Sequence, residues 1–298
     1  MWDESDQQSV YEKYVLDYSI VSPLAIDGLD ASGKGVLTAT IAEILCYEGK
    51  NVLLVDYPQY DTPWGRRIDY FLHNNVPGLT MQDRLQAFAL NRAETIDPIQ
   101  KTATGLYQKT AKQVFIIFDR FPTSCMITLA YSMLNPTDEL KEPDWFERAV
   151  EIMQQVDAKF MRKLMLSKTE VFVPMLTPKL ALDALLKDRS RKRIDLYETH
   201  DVQEKAHYLY GRLAQRGFVR LVSQLRNEND NASRKTPSEL AIEILLRLGL
   251  LGETIDETTE SGRLVELKVQ SDQIDTRFMN EMEFYMSKRL RELKALIP

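Results

Sequence analysis

The stretch Ile26-Asp27-Gly28-Leu29-Asp30-Ala31-Ser32-Gly33-Lys34-Gly35 decides how this chain is read. A short apolar run, Leu24-Ala25-Ile26, leads into it, and a helix-like segment, Val36 to Glu48, follows. Strand, glycine loop, helix is the context of a phosphate-binding P-loop. Gly28 and Gly33 admit turns that side chains resist, so several backbone N–H groups can converge on one phosphate chain. The start of the following helix adds partial positive charge. Lys34 brings a full charge to the β- and γ-phosphates. The usual pattern ends Lys-Ser/Thr, whose hydroxyl binds Mg²⁺. Here Gly35 and Val36 stand in that place, and Thr38 is too far along to replace the hydroxyl simply.

The rest of the composition narrows the class. A chain of 298 residues buries a sizeable core without staples. It suits one α/β domain with an addition, or two domains. The apolar fraction of 44% is that of an ordinary globular protein. A net charge of −6 argues against a dominant nucleic-acid surface, though not against a local nucleotide pocket. Cys46 and Cys125 lie in apolar segments and read as buried thiols in a reducing compartment. His73, His200 and His207 have no metal-ligand spacing. The first residues, with Asp3, Glu4 and Asp6, lack the basic-then-apolar pattern of a signal peptide. No apolar run reaches the roughly 18 residues of a membrane span. The expectation is a cytoplasmic protein with no membrane or nucleic-acid partner.

Residues 1–18 are polar and tyrosine-rich, an arm or short helix. Strands are expected at Pro23–Ile26, Asn51–Asp56, Val114–Phe118, Glu170–Val173 and Phe218–Val222, the middle ones continuous apolar runs of the kind buried on both faces. Helices are expected to Glu48 and over Thr62–Leu72, Thr80–Thr102 (broken near Pro98), Pro122–Leu134, Asp144–Ser167, Pro178–Lys187, Asp201–Arg216 and Ser238–Leu248. This alternation implies a doubly wound parallel sheet of five strands with helices on both faces. Ligands bind off the carboxyl ends of such strands. Three chemically loaded segments fall there: Gly28–Gly35, Asp56–Thr62 and Asp119–Ser124. Residues 253–262 read as an acidic linker. Beyond it Ile274, Phe278, Met282, Tyr285, Leu290, Leu293 and Ile297 recur at near-helical spacing, predicting an amphipathic helix capped near Ser271. Such a helix either docks on its own domain or makes an oligomer. The division is thus a domain over 1–250 and an extension over 251–298.

Asp119-Arg120 closes a buried strand. A carboxylate there can hold Mg²⁺ in Walker-B fashion, and a guanidinium can grip phosphate with its planar fork. The loop Asp188-Arg189-Ser190-Arg191-Lys192-Arg193 packs four cations into six residues. It is either a solvated turn or a lid whose arginines neutralise a moving phosphoryl group. Phe88 and Arg92 lie one helical turn apart, a spacing that suits core plus surface or a ring and a fork around a base.

Five segments in order resemble the thymidylate kinases, P-loop nucleoside monophosphate kinases: IDGLDASGKG (26–35), DYPQYDTPWGRRIDYFL (56–72), AFALNRAE (87–94), DRFPTS (119–124) and RKRIDLYETHDVQEKAHYLY (191–210). The similarity runs from about Leu24 to Leu248. It implies Mg²⁺-assisted transfer of phosphate from ATP to dTMP, usually by a homodimer. It also assigns roles. Gly28, Ser32, Gly33, Lys34, Gly35 and Val36 would bind ATP. Asp30 would face the deoxyribose and acceptor phosphate, beside Tyr57 and Pro58. Phe88 would stack on thymine and Arg92 hydrogen-bond its edge. Asp119 would organise the metal, Arg120 would sit between donor and acceptor phosphates, and Ser124 would lie near the nucleoside. Arg189, Arg191 and Arg193 would belong to a lid over about 188–198, followed by Tyr197 and Glu198.

The chain departs from that pattern in places. Gly35 replaces the metal-binding hydroxyl. Gln59 stands where many relatives carry an arginine. Thr128 and Leu129 replace a His-Gln or Tyr-Gln pair, which relaxes the expected base selectivity. Leu196 replaces an arginine of the lid. A polyphosphate-dependent or broader-specificity nucleotide kinase, whose P-loop also carries glycine after lysine, is one alternative. A nucleotide-binding regulatory protein without catalysis is another.

Overall fold

A computed structural model of the chain describes residues 16–29, 32–74, 76–133, 145–161, 169–180, 183, 200–227, 233–251, 262–276, 280 and 286–296. Its strands are β1 (Val21–Ile26), β2 (Asn51–Asp56), β3 (Val114–Asp119), β4 (Glu170–Met175), β5 (Arg220–Ser223) and β6 (Leu264–Glu266). They form one sheet in the order β5-β4-β1-β3-β2-β6, every pairing parallel. The sheet therefore has six strands rather than the five the sequence suggests. The sixth comes from the extension, pairing Val52 with Leu264 and Leu54 with Glu266 along the outer edge of β2.

The helices are α1 (Lys34–Tyr47), α2 (Pro63–His73), α3 (Met81–Thr110), α4 (Pro122–Met133), α5 (Trp145–Met161), α6 (His200–Gln215), α7 (Pro237–Arg247) and α8 (Lys288–Leu296). Side chains alternate across the pleat and build a core on each face. From β3, Val114, Ile116 and Phe118 join the larger core under α2 to α6, whereas Phe115 and Ile117 join Leu37, Ile41 and Leu45 of α1 and Ile244 of α7. Burying both faces is what made these strands read as unbroken apolar runs.

Helix starts follow their caps. Thr62 Oγ1 accepts from Gly65 N ahead of Pro63, and Thr80 and Thr236 each form a capping box, with Asp83 and Glu239. Helix α3 does not break at Pro98 but runs on to Thr110, with Thr102 Oγ1 donating to the Pro98 carbonyl. The C-terminal periodicity does not form one unbroken helix. Residues Ser271–Gln273 form a single 3₁₀ turn, Thr276 and Asn280 are helical, Met286 and Ser287 are not, and α8 begins at Lys288. Leu290 and Leu293 of α8 are buried in the larger core. Gly262 lets the returning chain cross Lys50, whose backbone a Cβ at 262 would overlap. Cys125 is buried as expected, but Cys46 is only partly buried and its Sγ donates to Gly262 O at 2.9 Å. Among the described residues no helix is long and apolar enough to cross a membrane. The expected helix at 178–187 and the arm over 1–18 lie largely outside the described residues.

Candidate active site

The glycine loop joins the end of β1 to α1. Gly28 has φ 134° and Gly33 φ 80°, positive values that side chains rarely adopt, and Gly33 is the residue before α1. Lys34 Nζ reaches back over the loop to donate to Gly28 O (3.1 Å) and Leu29 O (2.6 Å). Ser32 Oγ is buried with no hydrogen-bond partner, a donor ready for an anion's oxygen. Gln224, just past β5, donates through Nε2 to Ser32 O (2.9 Å) and Pro174 O (3.1 Å), so two neighbouring strand ends brace the loop. Thr38 Oγ1 is turned into its own helix, toward Lys34 O (3.1 Å) and Gly35 O (2.9 Å), and does not stand in for the missing hydroxyl. Val36 is exposed on α1. Asp30 and Ala31 lie outside the described residues.

Strand register gathers carboxylates beside this loop. Ile26 and Asp56 both pair with Asp119, which levels the ends of β1, β2 and β3. Burial raises the Asp119 carboxyl above its ordinary value; Lys34 and Arg120 pull it down, while Asp27 and Asp56 push it up. Asp56 is likewise raised by burial, with Glu266 of β6 adding to it. The bare α-carbon of Gly35 faces Asp119, leaving room beside the carboxylate. Among the described residues no three His, Cys, Asp or Glu side chains form a metal cage. The donor set suits Mg²⁺ nonetheless, because that ion keeps several waters and takes its remaining ligands from one or two carboxylates and substrate phosphates.

The other predicted residues line one open cleft. Gly28 forms one end, and Tyr57, Pro58, Phe88, Arg92, Arg120 and Ser124 the walls. Phe88 meets Phe71 edge-to-face with centroids 5.9 Å apart, and Arg92 is buried with Nη1 3.5 Å from Cys125 Sγ. The Phe88–Arg92 spacing therefore places both in a cleft rather than splitting them between core and surface. Tyr57 stacks on Phe118 at 5.8 Å and shares a 2.8 Å bond with Thr95, and burial pushes its phenol up to about 12. Arg120 has φ 71°, a left-handed backbone rare for a side-chain-bearing residue, and its N–H donates to Ile26 O at 2.9 Å. Thr128 lines the cleft, whereas Leu129 packs in the core. Arg189, Arg191, Arg193 and Tyr197 lie outside the described residues.

Two residues the sequence did not single out complete the geometry. Asp27, fully buried, accepts from Gly28 N (2.8 Å), Tyr210 OH (3.0 Å) and the hydroxyls of Thr123 and Ser124. It thereby ties the glycine loop to the start of α4. Tyr210 carries the tie to α6, and burial raises its phenol well above the ordinary value. An acid directly before the loop glycine was the available signal, but it reads equally well as a strand end.

Residues 26–140 match the family model described as thymidylate kinase. The resemblance read from the motifs is thus borne out over that part of the chain. A comparison with curated proteins finds no match. Among solved structures, the thymidylate kinase of Candida albicans, described as revealing the origin of broad substrate specificity and a novel structural element, superposes with a TM-score of 0.54 at 19% identity. The match covers 79% of this chain and 97% of that one, a likeness of fold.

Proposed function

We propose that this chain is a nucleoside monophosphate kinase that transfers the γ-phosphoryl group of ATP to dTMP. One observation carries the reading: Gly28 of the anion-binding loop, Arg120 and the pair Phe88–Arg92 border a single cleft. A donor phosphate on the loop and an acceptor base on Phe88 would then place their phosphates either side of Arg120.

Lys34, Ser32 and the amides of Gly33, Gly35 and Val36 hold the ATP phosphates. Mg²⁺, when bound, neutralises charge on the donor phosphates, and Asp119 holds it directly or through water. Phe88 stacks on thymine and Arg92 donates to its edge, while Tyr57, Pro58, Ser124 and Asp30 fix the sugar and phosphate. By the resemblance, Arg189, Arg191 and Arg193, followed in sequence by Tyr197, would serve as a lid that neutralises the transferring group and excludes water. The protein's share of catalysis is then positioning and charge stabilisation rather than covalent chemistry. By the same resemblance the enzyme works as a cytoplasmic homodimer.

A coupled Mg·ATP assay over dTMP, dUMP, dCMP, dGMP and dAMP tests this. dTDP formation with dTMP among the preferred acceptors is expected; ATP binding without any diphosphate product overturns it. Offering polyphosphate in place of ATP separates the two donors, since glycine after the loop lysine, as at Gly35, also occurs in polyphosphate-dependent kinases.

A further inference from the structure

We propose that Gln59 is a positioning residue through which the C-terminal segment holds the wall of the acceptor cleft; the inference rests on the acceptor-site reading above. Gln59 is 4% exposed, between Pro58 and Tyr60, which both line the cleft. Its own side chain turns to the extension. Nε2 donates to Asp56 O (2.8 Å), Asp56 Oδ1 (2.9 Å) and Leu267 O (3.2 Å), and Oε1 accepts from Val269 N (2.9 Å). Both ends of the amide are engaged, one half by the end of β2 and both halves by the segment after β6.

The main chain of Gln59 is fixed equally well from the cleft side. Its N–H donates to Asn91 Oδ1 (3.0 Å), and its carbonyl accepts from Asn91 Nδ2 (3.2 Å) and Thr62 Oγ1 (2.7 Å). Asn91 itself lines the cleft. A single residue thus couples three bodies: the loop after β2, the cleft-lining helix α3 and the extension. Gly65 of α2 allows the close fit, because a Cβ there would overlap the Gln59 carbonyl.

Further links point the same way. Arg66 Nη1 donates to Asp61 O (3.0 Å) and to Ser271 Oγ (2.8 Å), and Ser271 Oγ donates to Asp61 O (2.8 Å). Ser287 Oγ donates to Asp83 Oδ1 at 2.6 Å, and Arg67 Nη2 to Lys294 O at 3.3 Å. All of these anchors lie on the loop after β2 or on α2 and α3. The extension also meets α1, but at Cys46 near the end remote from the glycine loop, so its main effect falls on acceptor binding rather than on the donor loop. A buried amide held on four sides sets a loop to sub-ångström tolerance, and small misplacements of substrate-positioning groups cost much in affinity and rate.

The test is calorimetric binding of dTMP and of ATP to the full chain, wild type against Gln59→Leu, Val269→Pro (which removes the N–H that Gln59 accepts) and the double variant. Each single variant is expected to weaken dTMP about tenfold and to leave ATP within about twofold, with the double no weaker than the worse single. Ser271→Ala, which cuts only the outer link, is the milder probe should Gln59→Leu fail to fold, and is expected to weaken dTMP about threefold. Unchanged dTMP affinity in the variants overturns the proposal, as do equal losses for ATP and dTMP, or losses that multiply in the double. A wild-type chain that does not bind dTMP overturns it together with the kinase reading, whereas normal wild-type binding with indifferent variants overturns it alone.

Discussion

Asp119 Oδ2 lies 3.3 Å from where a Cβ on Gly35 would stand. That distance is tighter than ordinary van der Waals contact, and the carboxylate is hemmed in by burial, with Lys34 and Arg120 close enough to act on it. Alanine favours a helix over glycine by up to about 1 kcal/mol, and position 35 lies in the first turn of α1. Gly35→Ala is therefore expected to keep or raise the unfolding temperature while lowering kcat about tenfold, through a displaced carboxylate. Calorimetric melting and steady-state kinetics over a Mg²⁺ titration check both halves.

Arg120, whose guanidinium we propose to sit between the two phosphates, has a left-handed backbone, φ 71°. Glycine adopts that conformation without the roughly 1–2 kcal/mol cost a side chain incurs, at the expense of a looser unfolded chain. Arg120→Gly is expected to fold with a stability within about 1 kcal/mol of wild type. Its kcat should fall by roughly 10²–10³, the scale for losing one preorganised charge-stabilising donor. Denaturant unfolding alongside turnover separates the two effects.

Glu94 is buried, with Oε1 accepting from Asn91 Nδ2 (3.0 Å) and Trp64 N (3.1 Å). Burial pushes its carboxyl up to about 7, against hydrogen bonds from Thr62, Asn91 and Trp64 and the charge of Arg67. The folded state keeps this proton where the unfolded chain, with its value near 4.5, has released it. Its contribution to stability therefore falls as pH rises from about 4.5 to about 7 and stays low above that. Glu94→Gln should gain on wild type by an amount on the order of 3 kcal/mol larger at pH ~8 than at pH ~5. Urea unfolding at the two pH values measures the difference.

Tyr210 OH donates to Asp27 Oδ1 at 3.0 Å deep in the fold. Tyr210→Phe keeps the ring and deprives a buried carboxylate of one donor, a loss of about 1–3 kcal/mol. The same hydroxyl lies 3.2 Å from Gly28 N, so the glycine loop should loosen too, with a raised KM for ATP. Chemical denaturation and ATP kinetics on the same variant test whether the two changes come together.

The sequence made the P-loop, the Asp119-Arg120 strand end and the Phe88–Arg92 pair legible because each is local: a motif, a buried run, a one-turn spacing. It was blind where a residue's meaning comes from elsewhere in the chain. Gln59 read as an absent arginine, because its partners Leu267 and Val269 lie some 210 positions away. Strand β6 has only three residues and follows an acidic stretch, so neither length nor alternation announced it. Pro98 looked like a break, yet the helix continues beyond it with Thr102 bonded to its carbonyl. Apolar periodicity ran on through Met286 and Ser287, where the backbone is not helical, since periodicity registers which face is buried and not whether hydrogen bonds persist.

The pairing of β6 with β2 has a bearing on how the molecule comes into being. A strand flank offers unpaired amides and carbonyls to any passing chain. On β2 that flank is covered by a segment made more than two hundred residues later. During synthesis the nascent sheet accordingly waits, one seam unsealed, until the chain has emerged past Glu266. A ribosome stalled short of Leu264 would release a product with a sticky margin, and the segment around β6 serves as the molecule's own protection against self-association.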